Sequence, residues 1–414
     1  MKRNPGLITA ILASTVLIAA FIACSGNGGG KLSYLFLQAQ DSVNGAELWE
    51  FDGTNARMID IDSLSGASPG AKGVAGGILF FPAHDSTDDH ELWMFDGEAP
   101  SLAANINQHT GTDEYRGSSP YPLVEYNGDL YFGAQDSNRG RELWSFDLSS
   151  MMATLVADLA DGQENSYPEY LTVFDDRLFF AADHPDNGME LWTHDASSMI
   201  TTLYFDVDPG SRGSSPRNFK VFDGKLYFAA SDDRGMELWS TDGTAGGTTL
   251  VFDHPSTLGL SPTYPTIYNG NMYFSGEDPV RGRELWVTNG EAAGTTLVAN
   301  IAPDPSGSNP QYLTVFEGLL YFAADDGARG LELWSTNGTS GGTTLAAEIY
   351  SGPNGSDIVD LMVLRGKLYF GAYDGSTAGK ELWSFDGSTA SLAWDFYPSI
   401  NKGGYLGYPV IYEY

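Results

Sequence analysis

The chain has little of what several common functions require. Among its 414 residues there is one cysteine, Cys24, so no disulfide can form within the chain. It has 21 lysines and arginines against 54 acidic residues, which gives a formal net charge of -33. Clustered positive charge is what attracts a phosphate backbone, so nucleic acid is not an expected partner. This charge favours cations and cationic surfaces instead.

Motifs for common catalytic chemistry are absent too. The six histidines form no zinc-binding pair of the H-E-x-x-H type. There is also no G-x-S-x-G nucleophile elbow, no P-loop and no D-x-D-x-D-G calcium loop. A carboxylate pair for glycoside hydrolysis remains open, because any two of the 54 acidic side chains can meet in a cleft. A carbohydrate-active hydrolase or lyase is therefore an alternative to a binding protein.

The first thirty residues differ from all that follow. Lys2 and Arg3 precede a mostly apolar run from Leu7 to Ile22, and Cys24 follows it. This order is typical of an export signal. A spanning helix needs about 20 residues, so the run is short for one; an ordinary secretory signal is the other alternative.

The segment resembles a bacterial lipoprotein signal, in which small residues precede a cysteine that becomes the lipidated N-terminus. The resemblance implies that residues 1–23 are a signal peptide and that residues 24–30 are lipidated Cys24 with a short Gly-rich tether. Ser25, rather than Asp, follows the cysteine, which implies an outer-membrane address. The expected membrane contact is through this anchor alone.

One phrase, Glu-Leu-Trp, is repeated eight times and uses eight of the nine tryptophans. Its copies begin at Glu47, Glu91, Glu142, Glu190, Glu237, Glu284, Glu332 and Glu381. A nearly constant spacing of this size indicates a repeat architecture. Each unit has four β-rich runs, such as "NFKVFDG", "KLYFAASDD", "MELWSTDG" and "TTLVFD", separated by Gly, Asp and Asn. Four strands in a unit are typical of a propeller blade.

These units predict an all-β fold, an eight-bladed β-propeller of four-stranded blades that occupies residues 31–414 as a single domain. The first unit lacks its first run, whereas the chain ends on "YPVIYEY", which matches such a run. The C-terminal strand, residues 408–414, is therefore expected to complete the first blade and close the ring. Closure hides edges that would otherwise pair with other chains, and a monomer is expected.

The phrase itself resembles the bacterial ELWxxDGT-repeat family, most closely in "ELWSTDGTAGGTTL" and "ELWSTNGTSGGTTL". That resemblance implies a propeller on an exported or surface-attached protein and implies no defined reaction.

A second likeness concerns the tryptophans. Ala134, Asp136, Gly140 and Trp144 follow the spacing of the tryptophan-docking motif of eight-bladed quinoprotein dehydrogenases, in which the Trp clamps neighbouring blades. The chain lacks the adjacent cysteines of that group, so the likeness concerns docking and not the quinone. It implies a blade-docking role for Trp49, Trp93, Trp144, Trp192, Trp239, Trp286, Trp334 and Trp383.

Acidic residues recur at two strand ends that should share the top face of the propeller. One ring follows the second strand: Asp41, Asp85, Asp136, Asp232, Asp278, Asp326 and Asp374, with His184 as the exception. The other follows the last strand: Asp60, Asn105, Asp158, Asp206, Asp253, Asn300, Glu348 and Asp395. Such oxygens are calcium ligands, so calcium is a possible cofactor. The alternative is that they shape turns.

The glutamates of the repeat are expected to join a rim ion-pair network with arginines such as Arg139.

The units differ most at the start of their first strands, which should line the central channel. Two residues after a recurrent proline position stand Tyr170, Asn218, Tyr264, Tyr312, Asp360 and Tyr408, and Lys220 lies on the same strand face as Asn218. Aromatic faces with a few polar groups are typical of a ligand site, although aromatic residues here can also pack between blades.

The sequence thus favours an exported, lipid-anchored, non-catalytic binding or scaffold module whose top face binds a protein or a saccharide. The alternatives are a carbohydrate-active enzyme and a periplasmic scaffold for envelope assembly.

Overall fold

The alternation of β-rich runs with turn residues produces eight four-stranded antiparallel sheets. The computed structural model describes residues 33–41, 44–62, 66–84, 89–108, 117–244, 246–256, 258–303, 305–375, 379–396 and 406–413. Each sheet is one blade, and the predicted all-β, eight-bladed propeller is confirmed. The predicted signal peptide, Cys24 and the tether lie outside the described residues.

The strands have the following bounds. Blade 1 contains β1 (Ser33–Asp41), β2 (Gly45–Phe51), β3 (Ala56–Ile59) and β32 (Gly407–Glu413). Blade 2 contains β4 (Gly73–Ala75), β5 (Ile78–Ala83), β6 (Glu91–Phe95) and β7 (Pro100–Ala104). Blade 3 contains β8 (Tyr121–Tyr126), β9 (Asp129–Gln135), β10 (Arg141–Asp147) and β11 (Met152–Ala157). Blade 4 contains β12 (Glu169–Phe174), β13 (Arg177–His184), β14 (Gly188–Asp195) and β15 (Ile200–Phe205).

The remaining four blades follow the same order. Blade 5 contains β16 (Arg217–Phe222), β17 (Lys225–Asp232), β18 (Gly235–Thr241) and β19 (Thr249–Phe252). Blade 6 contains β20 (Thr263–Tyr268), β21 (Asn271–Asp278), β22 (Gly282–Thr288) and β23 (Thr296–Ala299). Blade 7 contains β24 (Gln311–Phe316), β25 (Leu319–Asp325), β26 (Leu331–Thr336) and β27 (Thr344–Ala347). Blade 8 contains β28 (Val359–Leu364), β29 (Lys367–Tyr373), β30 (Lys380–Phe385) and β31 (Ala390–Trp394).

Helical structure is limited to two short 3-10 turns, Ala292–Gly294 and Ser340–Gly342, in the described part of the chain. No helix there is long and apolar enough to cross a membrane.

The ring closes through the two ends of the described chain. Strand β32 pairs antiparallel with β1, with Tyr412 opposite Tyr34, and so becomes the innermost strand of blade 1. The Tyr412 hydroxyl also donates a hydrogen bond to the carbonyl of Gly77 in blade 2. The predicted closure by the C-terminal strand is confirmed.

The Leu-Trp pair of each repeat fills the interfaces between blades. Consecutive residues of a strand point to opposite faces, so the two side chains enter different interfaces. Leu143 and Trp192 share the apolar cluster between blades 3 and 4, and the same pairing of one blade's Leu with the next blade's Trp recurs in all eight clusters. A buried tryptophan contributes roughly 4–6 kcal/mol of hydrophobic free energy by its area. The stabilisation assigned to the eight tryptophans stays a prediction.

The glutamate of the repeat does not have the predicted role in a rim ion-pair network. Glu142 is fully buried. Its Oε2 accepts hydrogen bonds from the Leu159 amide (2.8 Å) and the Ser166 hydroxyl (2.6 Å), and its Oε1 accepts one from the Ser166 amide (3.0 Å). The prediction was wrong because backbone N–H groups of the loop leading to the next blade satisfy this carboxylate. The neighbouring Arg139 stays at the exposed rim and pairs with Asp136 instead.

A serine in that loop opposes the rise in pKa that burial causes in the glutamate. Five of the glutamates accept a hydrogen bond from such a hydroxyl, those of Ser118, Ser166, Ser214, Ser308 and Ser356. Where Ala67 or Leu260 takes this position, burial raises the pKa of Glu47 or Glu237 to about 7. The pKa of Glu190 is also raised by burial, but the Ser214 hydroxyl, 2.6 Å away, opposes the rise.

Ser214→Ala is therefore expected to destabilise the propeller more at pH 8 than at pH 5. Loss of the hydroxyl raises the pKa of Glu190 further. Between the pKa of Glu190 in the unfolded chain and its higher pKa in the folded protein, only the folded protein keeps the proton. The free energy of unfolding therefore decreases as the pH rises across this interval. The expected loss at pH 8 is about 1–3 kcal/mol, measured by denaturant unfolding. Ser150→Ala, at an exposed turn, is the control, and an equal loss at both pH values would contradict the assignment.

Candidate functional site

Two sets of loops form one face of the propeller, here called the upper face. They are the loops joining second to third strands and the loops leading from one blade to the next. In blade 3 they touch directly, because the Gly140 amide donates to the carbonyl of Gly162 (3.2 Å) and the Arg141 amide donates to the Asn165 side chain (2.7 Å). The start of every first strand, and so the mouth of the channel, lies at this face.

The acidic ring that follows the second strands shapes turns. Asp136 Oδ1 accepts hydrogen bonds from the amides of Asn138 (2.8 Å) and Arg139 (2.7 Å), and its Oδ2 pairs with Arg139 Nη1 (2.9 Å). The same arginine lies 3.5 Å from Asp158 of the second ring. Equivalent turns occur at Asp232, Asp278 and Asp326. His184 takes the aspartate's place, since its Nδ1 accepts from the amide of Asp186 (3.2 Å).

These contacts bear on the calcium hypothesis. In the four turns described above, backbone N–H groups and an arginine already form hydrogen bonds with the carboxylate oxygens. Across the described residues, no group of three or more His, Cys, Asp or Glu side chains is placed to hold a metal ion. Asp85 and the side chain of Asp41 lie outside the described part.

Six residues of the innermost strands share an unusual backbone conformation. Tyr170, Asn218, Tyr264, Tyr312, Asp360 and Tyr408 have φ between 53° and 59°. Each lies at a register shift between the first and second strands of its blade. A left-handed residue other than glycine costs of order 1–3 kcal/mol, and such strain is concentrated at functional sites. The position is thus a repeated bulge that turns a side chain toward the mouth.

Four of these residues line one cavity of about 390 Å³ at the mouth. Tyr264, Tyr312, Asp360 and Tyr408 come from blades 6, 7, 8 and 1 and stand side by side around it. The rings of Tyr264 and Tyr312 are 5.4 Å apart and tilted by 54°.

Threonines below the tyrosines hold this wall together. Thr266 Oγ1 donates to the Leu313 carbonyl (2.9 Å) and Thr314 Oγ1 donates to the Leu361 carbonyl (3.1 Å), so the innermost strand of blade 6 is tied to that of blade 7, and that of blade 7 to that of blade 8. The part of the cavity wall formed by these three blades is therefore held together by side-chain hydrogen bonds.

Burial raises the pKa of three titratable groups that line the cavity. Burial raises the pKa of Tyr312 to about 12, and burial also raises the pKa of Tyr264, so both hydroxyls are neutral at pH 7, and a side-chain hydrogen bond joins the two. Burial raises the pKa of Asp360, while Lys380 and Lys72 oppose the rise. No hydrogen bond joins the Asp360 carboxylate to another residue of the described chain, which leaves it available as an acceptor.

The other predicted ligand residues are not part of this cavity lining. Tyr170 packs beside Phe219, with ring centroids 6.0 Å apart. The side-chain amide of Asn218 donates to the carbonyl of Pro262 in the next blade (3.1 Å). Lys220 lies on β16 opposite Tyr227. The structure thus brings together four of the seven residues and places three in the neighbouring sector of the channel.

Two further residues lie at the mouth and were not predicted from the sequence. Lys72 Nζ donates to the carbonyls of Gly70 (3.1 Å) and Tyr408 (2.9 Å), and burial lowers its pKa to about 7. Tyr121 is half exposed, and its pKa is raised first by burial and then by the nearby Glu169 and Tyr408. The sequence does mark Lys72, because a lysine takes the position at which other blades have a leucine such as Leu313.

No family model matches this chain, and no curated protein matches it in sequence. Solved structures do resemble it. AztD from Citrobacter koseri, in its apo form, has a TM-score of 0.53 at 13% identity, with 93% of this chain and 99% of that one covered. A prolyl endopeptidase has a TM-score of 0.52 at 11% identity, with 79% of this chain covered. This chain spans about half the length of that enzyme, 49%. At these identities the likeness concerns the fold alone.

The strain at the mouth predicts an order of stability among substitutions. Tyr264→Gly is expected to be about 1 kcal/mol more stable than Tyr264→Ala, because glycine adopts the left-handed region without a Cβ penalty. Thermal unfolding of both variants measures the difference. The same pair at Val315, on a regular part of β24, should show the opposite order, and glycine below alanine at position 264 would contradict the strain.

Proposed function

We propose that this protein is a non-catalytic binding module that takes a saccharide in the mouth of its channel. The observation that supports this is the cavity lined by Tyr264, Tyr312, Asp360 and Tyr408. Its volume of about 390 Å³ lies within the range of roughly 300–1,000 Å³ for small-molecule sites. A protein partner usually buries about 800 Å² on each side, so a concave site of this size suits a smaller ligand better.

The lining matches the chemistry of a sugar. A pyranose ring has apolar C–H faces that pack on aromatic rings, and hydroxyls that donate and accept hydrogen bonds. Tyr264 and Tyr312 offer two adjacent aromatic faces and neutral hydroxyls. Asp360 offers the acceptor. Rigid aromatic side chains bind with little loss of conformational entropy, and here the bulge fixes them before the ligand arrives.

The cavity favours binding over hydrolysis. Glycoside hydrolases of the usual kind place two carboxylates on either side of the scissile bond. Among the residues that line the cavity, Asp360 is the only acidic one. A carbohydrate-active enzyme would therefore need a second carboxylate from outside this lining.

Binding is tested with Tyr264→Ala combined with Tyr312→Ala. A glycan array first identifies a bound saccharide, and calorimetry then compares the variants. We expect the double variant to lose at least tenfold in affinity, equivalent to about 1.4 kcal/mol, because both stacking faces are gone. Met152→Ala combined with Met199→Ala is the control, since both side chains are exposed on hairpins of the opposite face. Unchanged affinity in the double variant would refute the placement. Capture of an envelope protein with no saccharide bound would favour the scaffold alternative.

Export and anchoring complete the proposal. The lipoprotein-type signal and Cys24 support a module tethered at a membrane, for which the outer membrane is the expected address. The described chain starts at Ser33, at the end of the blade opposite the upper face, so a tether of this kind would leave the mouth directed away from the lipid.

Cys24→Ser is expected to abolish lipid attachment, because serine lacks the thiol that is acylated. The full chain is expressed in a bacterium with an outer membrane and labelled with radioactive palmitate. The parent should be labelled and sediment with membranes, and the variant should do neither. Labelling of the variant, or an unlabelled parent, would contradict the anchor while leaving the binding test unaffected.

A further inference from the structure

The mouth has a positively charged sector beside the cavity, formed by blades 5 and 6. Arg217 is the first residue of β16, and Arg283 lies in β22 at the position before Glu-Leu-Trp. The side-chain amide of Asn218, the residue after Arg217, donates to the carbonyl of Pro262 (3.1 Å), and Arg283 donates to the residues on either side of that proline, Ser261 and Thr263. Both arginines are therefore held at the same segment of blade 6.

Arg283 is held rigidly in this position. Its Nη1 donates to the carbonyls of Ser261 (2.9 Å) and Ser275 (3.2 Å) and to Thr263 Oγ1 (3.2 Å). Its Nε lies 3.4 Å from Glu277 Oε2. Burial lowers the pKa of Arg283, Glu277 opposes this effect, and the charge of Arg217 lowers the pKa further. The guanidinium is therefore fixed next to a second cation rather than free to move away.

Within the described chain, Arg217 has no such partners. There its Nε is buried without a hydrogen-bond acceptor, and its guanidinium forms no ion pair. This is unusual in a chain with 54 acidic residues, where acceptors are abundant. The rim arginines show the contrast, because Arg139, Arg234, Arg281 and Arg329 each pair with an aspartate. Two adjacent cations, one of them unpaired, form a site for an anion.

The position of this pair relates it to the proposed ligand. Arg283 lies just outside the cavity lining and donates to Thr263, the residue before Tyr264, so a ligand packed on Tyr264 lies beside Arg283. Asp360, the acidic group of the lining, belongs to blade 8, which is two blades from Arg283 and three from Arg217. The mouth thus offers an acceptor at one side and two cationic donors at the other.

We propose that the saccharide is acidic and that the carboxylate of a uronate residue binds between Arg217 and Arg283. This inference rests on the proposed function. The planar guanidinium group matches a carboxylate in a two-point contact. The uncharged part of the sugar packs on Tyr264, and its hydroxyls face Asp360. The anion supplies the opposite charge that the Arg217 guanidinium lacks within the described chain and relieves the repulsion between the two arginines.

The test uses oligosaccharides in matched sets, in which a uronate-containing member is compared with a neutral counterpart bearing CH2OH and with a sulfated counterpart. Calorimetry on the parent protein should show the uronate member bound at least tenfold more tightly than the neutral one. The gap should narrow between 50 and 500 mM NaCl, because salt screens the contact. This comparison needs no variant, so it stands even where a substitution prevents folding.

Arg217→Gln should reduce the affinity for the uronate at least tenfold and leave the neutral saccharide unaffected. Arg217→Lys should restore part of the affinity, since it keeps the charge without the two-point geometry. Arg212→Gln is the matched control, because Arg212 is exposed and already paired with Asp208.

If neutral and acidic oligosaccharides bind equally, or the sulfated one binds best, the carboxylate assignment is wrong while saccharide binding stands. If no member binds, the proposed function itself fails.

Discussion

The packing of one blade's leucine against the next blade's tryptophan is the interaction on which the rest of this structure depends. Because the two residues are consecutive in a strand, they point to opposite faces, and a single dipeptide serves two interfaces. Eight copies produce eight interfaces, the last of which joins blade 8 to blade 1. Strand β32 completes blade 1 within the same ring. The channel and its mouth exist only because this chain of contacts closes.

The buried glutamate adds a second constraint that acts on the loops. Its carboxylate collects backbone N–H groups from the loop that leads to the next blade, as Glu190 does with Val207, Asp208 and Ser214. A buried charge is tolerated only when hydrogen bonds replace the lost water. The start of each innermost strand is thereby anchored in the same place in each blade. The residues that follow are then free to differ, and these are the strained residues at the mouth.

Charge is distributed unevenly over the upper face. The rim arginines pair with the aspartates of their turns but stay nearly half exposed themselves, so solvent screening limits what these pairs contribute. At the mouth, Lys72, Arg217 and Arg283 are at least partly desolvated, and two of the three have a pKa lowered by burial. A desolvated charge interacts more strongly with a ligand than an exposed one does. The net charge of -33 therefore describes the chain as a whole but not its channel mouth.

Much of the architecture was predictable from the sequence, because it depends on local and repeated features. The spacing of Glu-Leu-Trp predicted eight blades, and the last strand, near Tyr408, predicted the closure. Four of the predicted channel residues do meet in one cavity. Sequence reasoning was wrong about the glutamates, since polarity suggested an exposed position and nothing in the repeat shows that loop amides surround them.

The sequence by itself determined how many blades form, how they dock and which positions line the channel, because these follow from periodicity and from the alternation of side chains along a strand. Only the tertiary structure decided which residues meet across the ring. Lys72 and Tyr408 are 336 residues apart in the chain. Arg217 and Arg283 belong to different blades and come together only when blades 5 and 6 pack. The left-handed bulges also arise from the pairing of strands, since a tyrosine has no local preference for that conformation.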